Sequence, residues 1–152
     1  MGTMCGVTQK VRWAHDLVRL EIVLWDHVDA RLKRDHDLPL SSFETLWVLR
    51  ERETARIGDL ARELRITMGG ASKLADRVRA AGLIERTTDP GDRRASSLTL
   101  TTEGREILAK ATLTYDAAVA ELLDSAGVTD AEVRATQSVI TRLLMSTPPT
   151  TA

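Results

Sequence analysis

The sequence has few of the features that mark membrane, secreted or disulfide-linked proteins. No apolar run approaches the roughly 20 residues needed to cross a bilayer. The chain also lacks a basic segment followed by an apolar stretch, which is the pattern of a signal peptide. The single cysteine, Cys5, cannot form an intramolecular disulfide, which is typical of a reducing compartment. These absences predict a cytoplasmic protein without membrane contact.

Motifs of enzymatic chemistry are absent as well. The chain has no phosphate-binding loop, no nucleophile elbow and no His-Glu-rich helix. Its three histidines, His15, His27 and His36, are too far apart in sequence to form a local metal motif. We therefore expect no enzyme activity, no cofactor and no metal site.

The 152 residues have ordinary proportions of hydrophobic (43%) and charged (28%) side chains, which fits one globular domain. The net charge of −1 hides an uneven distribution. Residues 56–94 hold nine basic and six acidic side chains, whereas residues 95–152 hold four basic and seven acidic ones. A basic middle between neutral or acidic ends is consistent with a nucleic-acid-binding face.

Helical periodicity begins the chain. Apolar residues from Val11 to Leu32 recur at helical spacing, and a second apolar row from Trp13 to Leu24 lies beside them. So wide an apolar face on a helix of about 25 residues exceeds what a small domain covers. This pattern predicts a homodimer.

The middle of the chain predicts a helix-turn-helix followed by a β-hairpin. Ser41 and Glu44 fit a capping box that opens the second helix, and a third helix spans about 57–64. Thr67 is placed to cap a fourth helix that ends at Gly82. Period-two alternation then predicts strands at 84–88 and 96–101, separated by turn-forming residues.

Two more helices are predicted, one over about 102–125 and one opened by a capping box at Thr129 and Glu132. The expected fold class is mainly α with a small β-hairpin wing. We expect a single domain over 1–152: a helical dimerisation region formed by 10–36 and 102–146, a winged helix-turn-helix lobe at 41–101, and flexible tails at 1–9 and 147–152.

In these motifs the chain resembles the MarR family of bacterial winged helix-turn-helix regulators. The matching stretches are residues 60–64 (LAREL), 80–84 (AAGLI), 92–94 (DRR) and 98–104 (LTLTTEG). The resemblance implies an intertwined homodimer that binds a pseudo-palindromic site in double-stranded DNA. It also implies that a ligand or an oxidant weakens binding. The favoured function is a transcriptional repressor released by a small effector.

The candidate DNA-binding residues lie in the fourth helix and at the wing tip: Thr67, Gly69, Gly70, Ser72, Lys73, Arg77, Asp92, Arg93 and Arg94. An arginine at the wing tip suits a narrow minor groove. Arg77 is open to two interpretations, phosphate binding or internal pairing with Asp76 or Glu63. Two departures from the family pattern stand out: Gly69-Gly70 lowers helix propensity, and Ser72-Lys73 replaces the usual Thr-Arg.

For the effector, the candidate residues are Trp13, His15 and Tyr115, and the expected ligand is an aromatic or phenolic acid. The alternative interpretation is that these aromatics belong to the core or the interface, as is expected of Trp25 and Trp47. Two other functions remain open: redox sensing through Cys5, and a winged-helix interaction module without DNA binding.

Overall fold

The computed structural model describes residues 3–89 and 92–147, and the side chains of residues 8–88 and 96–147. Helices and one antiparallel hairpin alternate in the order α1 (Thr3–His36), α2 (Leu40–Arg52), α3 (Ile57–Leu64), α4 (Met68–Ala80), β1 (Ile84–Asp89), β2 (Asp92–Leu100), α5 (Thr102–Ser125) and α6 (Asp130–Ser146). This is the mainly helical fold with a hairpin that the sequence predicts. No helix in these ranges is long and apolar enough to span a membrane.

Two predicted boundaries are wrong. Helix α1 begins at Thr3 rather than near Lys10, because adding residues to an existing helix needs no new nucleus. Strand β2 begins at Asp92 rather than Ser96. The pairing register shifts between Thr88 and Asp89, so that β2 carries extra residues opposite this step. Sequence alternation did not reveal this irregular end of the hairpin.

The winged lobe, residues 40–101, contributes most of one apolar core, which residues of α1 and α5 also enter. Leu46, Leu49, Leu60, Val78 and Ile84 are almost completely buried. Leu98 and Leu100 lie on the buried face of β2 and Thr99 on the other face, as the alternation predicts. The link between α2 and α3 joins the hairpin, since Ala55 exchanges two backbone hydrogen bonds with Leu98 (3.1 and 2.7 Å).

The junction between the wing and α5 is tightly packed. The Thr101 hydroxyl donates to the carbonyl of Gly82 (2.7 Å) and accepts from the amide of Gly104 (3.0 Å). A Cβ atom on Gly104 would lie 2.0 Å from the carbonyl oxygen of Leu83, so that only glycine fits there. The motif at 98–104 therefore closes the hairpin, the end of α4 and the start of α5 into one unit.

The last third of α1 packs against α5 and α2. His27 lies 3.1 Å from the Ala118 carbonyl, Arg31 binds Glu121 (2.5 Å), and His36 Nε2 lies 2.7 Å from the Thr114 hydroxyl oxygen. These three contacts join the last third of α1 to α5.

The predicted capping box at Ser41 and Glu44 is wrong. Helix α2 starts at Leu40 after Pro39, and the Leu40 amide donates to Asp29 Oδ1 on α1 (2.8 Å). Burial alone would raise the pKa of Asp29, but hydrogen bonds from Lys33 and from the Leu40 amide hold it below its ordinary value. A carboxylate from another helix thus takes the place of the predicted cap and leaves Glu44 free. The caps predicted at Thr67 and Thr129, and the end of α4 at Gly82, are confirmed.

Two segments remain largely uncovered in this chain, and we call them the helical arms: residues 8–25 of α1, and α6. The first arm exposes eight large apolar side chains, among them Val18 (60%) and Leu20 (59%). The second buries no residue at all and exposes Val139, Leu143, Leu144 and Met145. The sequence prediction of a surplus apolar face on α1 is confirmed.

Candidate nucleic-acid interface and adjoining groove

Helix α4 is held by one face and presents the other to solvent. Ala71, Leu74, Ala75 and Val78 are buried at helical spacing against the lobe. The opposite face carries Gly69, Lys73 and Arg77, which are exposed, and Ser72, which is half-buried. The Thr67 hydroxyl accepts from the Gly70 amide (3.0 Å) and fixes the first turn. The structure thus brings the candidate residues of this helix together on one surface.

Lys73 and Arg77 are available to a ligand. Within the described side chains, neither makes an ion pair or a hydrogen bond. The two acids considered as partners of Arg77 are engaged elsewhere: Asp76 pairs with Arg79 (3.5 Å) and Glu63 with Arg52. The interpretation of Arg77 as an internally paired residue is therefore wrong.

The two glycines of α4 differ in their surroundings. A Cβ atom on Gly69 would meet no atom within 4 Å, whereas one on Gly70 would lie 3.2 Å from the Thr67 hydroxyl oxygen. The backbone at Gly69 is thus bare and open. A bare first helical turn allows its amides to approach another molecule closely.

The wing extends the same surface. Asp92, Arg93 and Arg94 belong to β2 by their backbone, but their side chains lie outside the described residues. Arg86 on β1 is exposed, and its guanidinium donates to the Ser96 hydroxyl (2.7 Å), which holds it against the hairpin. The sequence analysis missed Arg86, although a cation within a predicted strand next to the wing tip was a visible signal.

A groove of about 310 Å³ lies between α2 and α5 on the inner side of the lobe. Three aromatic rings form its walls, with ring centroids 5.1 Å apart for Phe43 and Tyr115 and 5.9 Å apart for Phe43 and Trp47. Glu44, Thr112 and Asp116 complete the lining. The groove has the size and composition of a site for a small molecule.

Burial shifts the pKa values of two groups in this groove, Glu44 and Tyr115. It raises the pKa of the Glu44 carboxyl, since removal from water disfavours the charged form. Burial, and secondarily the nearby Glu44 carboxylate, raises the pKa of the Tyr115 phenol, which therefore stays neutral. The guanidinium of Arg50 stacks 3.7 Å from the centroid of the Trp47 ring and is paired with Glu51 (2.9 Å).

Comparison with known proteins agrees with this architecture. The model of the MarR family matches residues 36–95, which include α2, α3, α4 and the start of the wing. Residues 36–95, about two fifths of the chain, are thus similar to the MarR family. An uncharacterized HTH-type transcriptional regulator of Bacillus subtilis, YxaD, is 34% identical over 82 residues, which are 54% of this chain and 57% of that protein. The chain thus matches a little over half of this curated relative.

Solved structures share the fold of this chain. A mutant of MarR from E. coli, complexed with operator DNA, aligns with a TM-score of 0.79 at 20% identity and covers 90% of this chain and 96% of its own. CouR from Rhodococcus jostii RHA1, bound to p-coumaroyl-CoA, aligns with a TM-score of 0.74 at 25% identity and covers 86% of this chain and 90% of its own.

The candidate effector residues are not brought together within one chain. Tyr115 lies in the groove, but Trp13 and His15 are on the exposed first arm. His36 contacts Thr114 beside Tyr115, and Trp13 precedes His36 by 23 residues, or roughly 35 Å of helix. Trp25 is exposed rather than buried, and Trp47 lines the groove. Of the groove residues, the sequence analysis named Tyr115, assigned Trp47 to the core, and missed Phe43, Glu44, Thr112 and Asp116.

The described residues give no support to redox sensing through Cys5 or to a metal site. The side chain of Cys5 lies outside the described residues. Among the side chains that are described, no three His, Cys, Asp or Glu residues form a group that could hold a metal.

Proposed function

We propose that this chain is a DNA-binding transcriptional regulator that acts as a homodimer and represses its target genes. Each subunit places α4 in a major groove and its wing at the neighbouring minor groove. The observation that carries the proposal is the outer face of α4, where Lys73 and Arg77 stand exposed and unpaired among the described side chains. Cations of this kind bind phosphates and base edges, and a single helix fits the major groove.

A second chain is the proposed cover of the helical arms. Eight large apolar side chains on α1 and an α6 without a buried residue leave more apolar surface than monomeric soluble proteins normally expose. A two-fold pairing of the arms would bury this surface and place two copies of α4 on one side. Such a dimer binds two half-sites about 10 base pairs apart.

At the wing, we propose that Arg94 enters the minor groove and that Asp92 orients its guanidinium. The negative potential of a narrow minor groove favours an inserted arginine. The position of both residues at the start of β2, next to the hairpin end, supports this role. Arg93 and Arg86 add positive charge along the same strands.

We further propose that a small ligand in the groove between α2 and α5 weakens DNA binding. Helix α2 packs on both α3 and α4, and α5 packs on α1. A ligand bound between α2 and α5 therefore acts on the contact between the winged lobe and the long helices α1 and α5. The structure of CouR bound to p-coumaroyl-CoA supports the existence of ligand sites in this fold.

The test of the DNA-binding proposal is affinity for duplex DNA as a function of salt, after selection of a site from random duplexes. We expect a palindromic selected site and a steep loss of affinity with salt, as counterion release requires. Arg94→Ala should weaken binding by about 1–3 kcal/mol without a change in thermal stability. Sedimentation of a folded monomer at micromolar concentration, or binding that does not depend on salt, would contradict the proposal.

A further inference from the structure

Glu44 is the most unusual residue of the groove. Its carboxylate is half-buried in the groove wall and makes no hydrogen bond or ion pair with any described residue. The helix start that the sequence assigns to it is capped by Asp29 instead. A carboxylate that is partly removed from water without gaining a partner lowers the stability of the folded protein, and such groups are found where a ligand supplies the missing partner.

The surroundings of Glu44 all favour positive charge. The faces of aromatic rings are negative, and the rings of Phe43, Trp47 and Tyr115 all line the same groove. A second carboxylate, that of the exposed Asp116, also lines the groove, and among the described residues that line it there is no Lys, Arg or His. The Trp47 ring already binds one cation, Arg50, which is itself paired with Glu51.

We infer that the groove between α2 and α5 binds a small apolar cation, a quaternary or protonated amine that carries an aromatic or alkyl group, with Glu44 as its counter-charge. The inference rests on the proposed role of the groove as a ligand site and specifies which ligands enter it. The ammonium group lies against Glu44 and the ring faces, and its apolar substituent fills the space beside Phe43 and Tyr115.

This assignment replaces the aromatic acid expected from the sequence. A carboxylate ligand would place a second negative charge near Glu44 in surroundings with little water, where like charges repel more strongly than in solution. A cation instead relieves the unpaired charge of Glu44. The three rings bind the apolar part of any aromatic ligand. The sign of the ligand's charge therefore decides whether the groove prefers a cation or an anion.

The experiment compares three probes of similar size by calorimetric titration of the full-length protein without DNA. Benzyltrimethylammonium carries the cation, neopentylbenzene is its neutral carbon isostere, and phenylacetate carries an anion. We expect the cation to bind about tenfold more tightly than the neutral isostere, and phenylacetate to bind more weakly than either. Equal or tighter binding of phenylacetate, or no binding of the cation at about 1 mM, would overturn the inference.

Two variants locate the effect. Glu44→Gln removes the charge and keeps the size, so we expect it to weaken binding of the cation about tenfold and leave the neutral probe unchanged. Glu106→Gln makes the same change on the exposed surface of α5 and should leave all three affinities as they are. An unchanged preference for the cation in Glu44→Gln would refute the role of Glu44.

The regulatory role is measured separately, as the affinity for the selected DNA site with and without saturating cation. A fall in DNA affinity supports both the ligand class and the proposed switch. If the cation binds with the expected preference while DNA affinity stays constant, the ligand class stands and the switch of the proposed function is refuted. If the chain binds no DNA, the calorimetric comparison still decides the ligand class.

Discussion

The winged lobe buries most of its large apolar side chains within one chain, whereas the helical arms expose most of theirs. The lobe buries Leu46, Leu49 and Leu60 completely within one chain and closes its edge with the Ala55–Leu98 bridge. The arms expose Val18, Leu20 and Leu144 although their helices are regular and continuous. The difference teaches that the lobe finds its packing partners within one chain, whereas one chain leaves the apolar faces of the arms uncovered.

The largest effect is expected where the lobe joins α5. Gly104→Ala places a Cβ atom 2.0 Å from the Leu83 carbonyl oxygen, and the backbone there is fixed on both sides. We expect a loss of about 4 kcal/mol of unfolding free energy, measured by urea denaturation of the dimer. Gly69→Ala serves as the control, since its Cβ meets no atom. A Gly104→Ala protein as stable as the wild type would show that the junction is not rigid.

An arm variant should act on association rather than on the lobe. Leu20→Glu puts a charge on a side chain that is 59% exposed in one chain and covered in the proposed dimer. We expect the dimer to weaken by about 3 kcal/mol, or more than a hundredfold, because the charge would be buried without a partner. Sedimentation at several concentrations measures this.

The control is Arg19→Gln, a change of the exposed residue next to Leu20 on the same arm. It should leave the dimer intact. If Leu20→Glu remains a dimer at the same concentrations, this part of α1 lies outside the interface.

On the DNA-facing surface, Lys73→Ala and Arg77→Ala should each weaken operator binding by about 1–2 kcal/mol. Both side chains are exposed, so the melting temperature should not change. If Lys73 contacts only phosphate, the slope of affinity against salt should fall by about 1. Lys110→Ala on α5 removes the same charge from an exposed site elsewhere and should have no effect. Unchanged affinity in both α4 variants would disprove the proposed surface.

Gly69→Ala separates folding from binding at the start of α4. Alanine has the higher helix propensity and no neighbour to clash with, so stability should rise by about 0.5 kcal/mol. DNA affinity should fall by about 1 kcal/mol, because the methyl group would keep the backbone away from the duplex. Denaturation and operator titration of the same preparation test both parts. A gain in stability with full DNA affinity would mean that this turn does not approach the DNA closely.

The smallest effect concerns pH and Glu44. Burial raises the pKa of Glu44 in the folded protein, so the native state holds this proton more tightly than the unfolded chain. As pH rises from the pKa of Glu44 in the unfolded chain through its raised pKa in the folded protein, ionisation of Glu44 lowers the free energy of unfolding. This loss is complete above the raised pKa. Glu44→Gln should raise the melting temperature by about 1–3 °C near pH 8 and leave it unchanged near pH 3.

For this comparison, Glu106→Gln is the exposed control and should show no gain at either pH. A gain in Glu44→Gln that persists unchanged at acid pH would mean that the charge of Glu44 is not its cause.

Most of the fold could be predicted because its signals are local. The caps at Thr67 and Thr129, the glycine end of α4 and the alternation at Leu98–Leu100 involve residues a few positions apart. The prediction failed at α2, where Ser41 and Glu44 match a capping box but the cap comes from Asp29 on another helix. A local pattern shows that Ser41 and Glu44 could cap the helix. It cannot show that Asp29, a side chain from another helix, caps it instead.

The candidate site divides in the same way. The sequence found the α4 residues because helical periodicity already separates buried Ala71 and Leu74 from exposed Lys73 and Arg77. It missed the groove, because Phe43, Glu44 and Trp47 belong to α2 and Tyr115 to α5, more than 60 residues later. Trp13 and His15 were grouped with Tyr115 by residue type, and the length of α1 keeps them apart within one chain.

The sequence by itself determined the order of the helices, the hairpin, the basic face of α4 and the surplus apolar surface of the arms. Each of these follows from short-range sterics, hydrogen bonding and hydrophobic periodicity. Only the tertiary structure decided that Asp29 caps α2, that Glu44 is left without a partner, and that three aromatic rings meet around it. These features depend on how α1, α2 and α5 pack, and packing brings together side chains whose sequence neighbours give no sign of the contact.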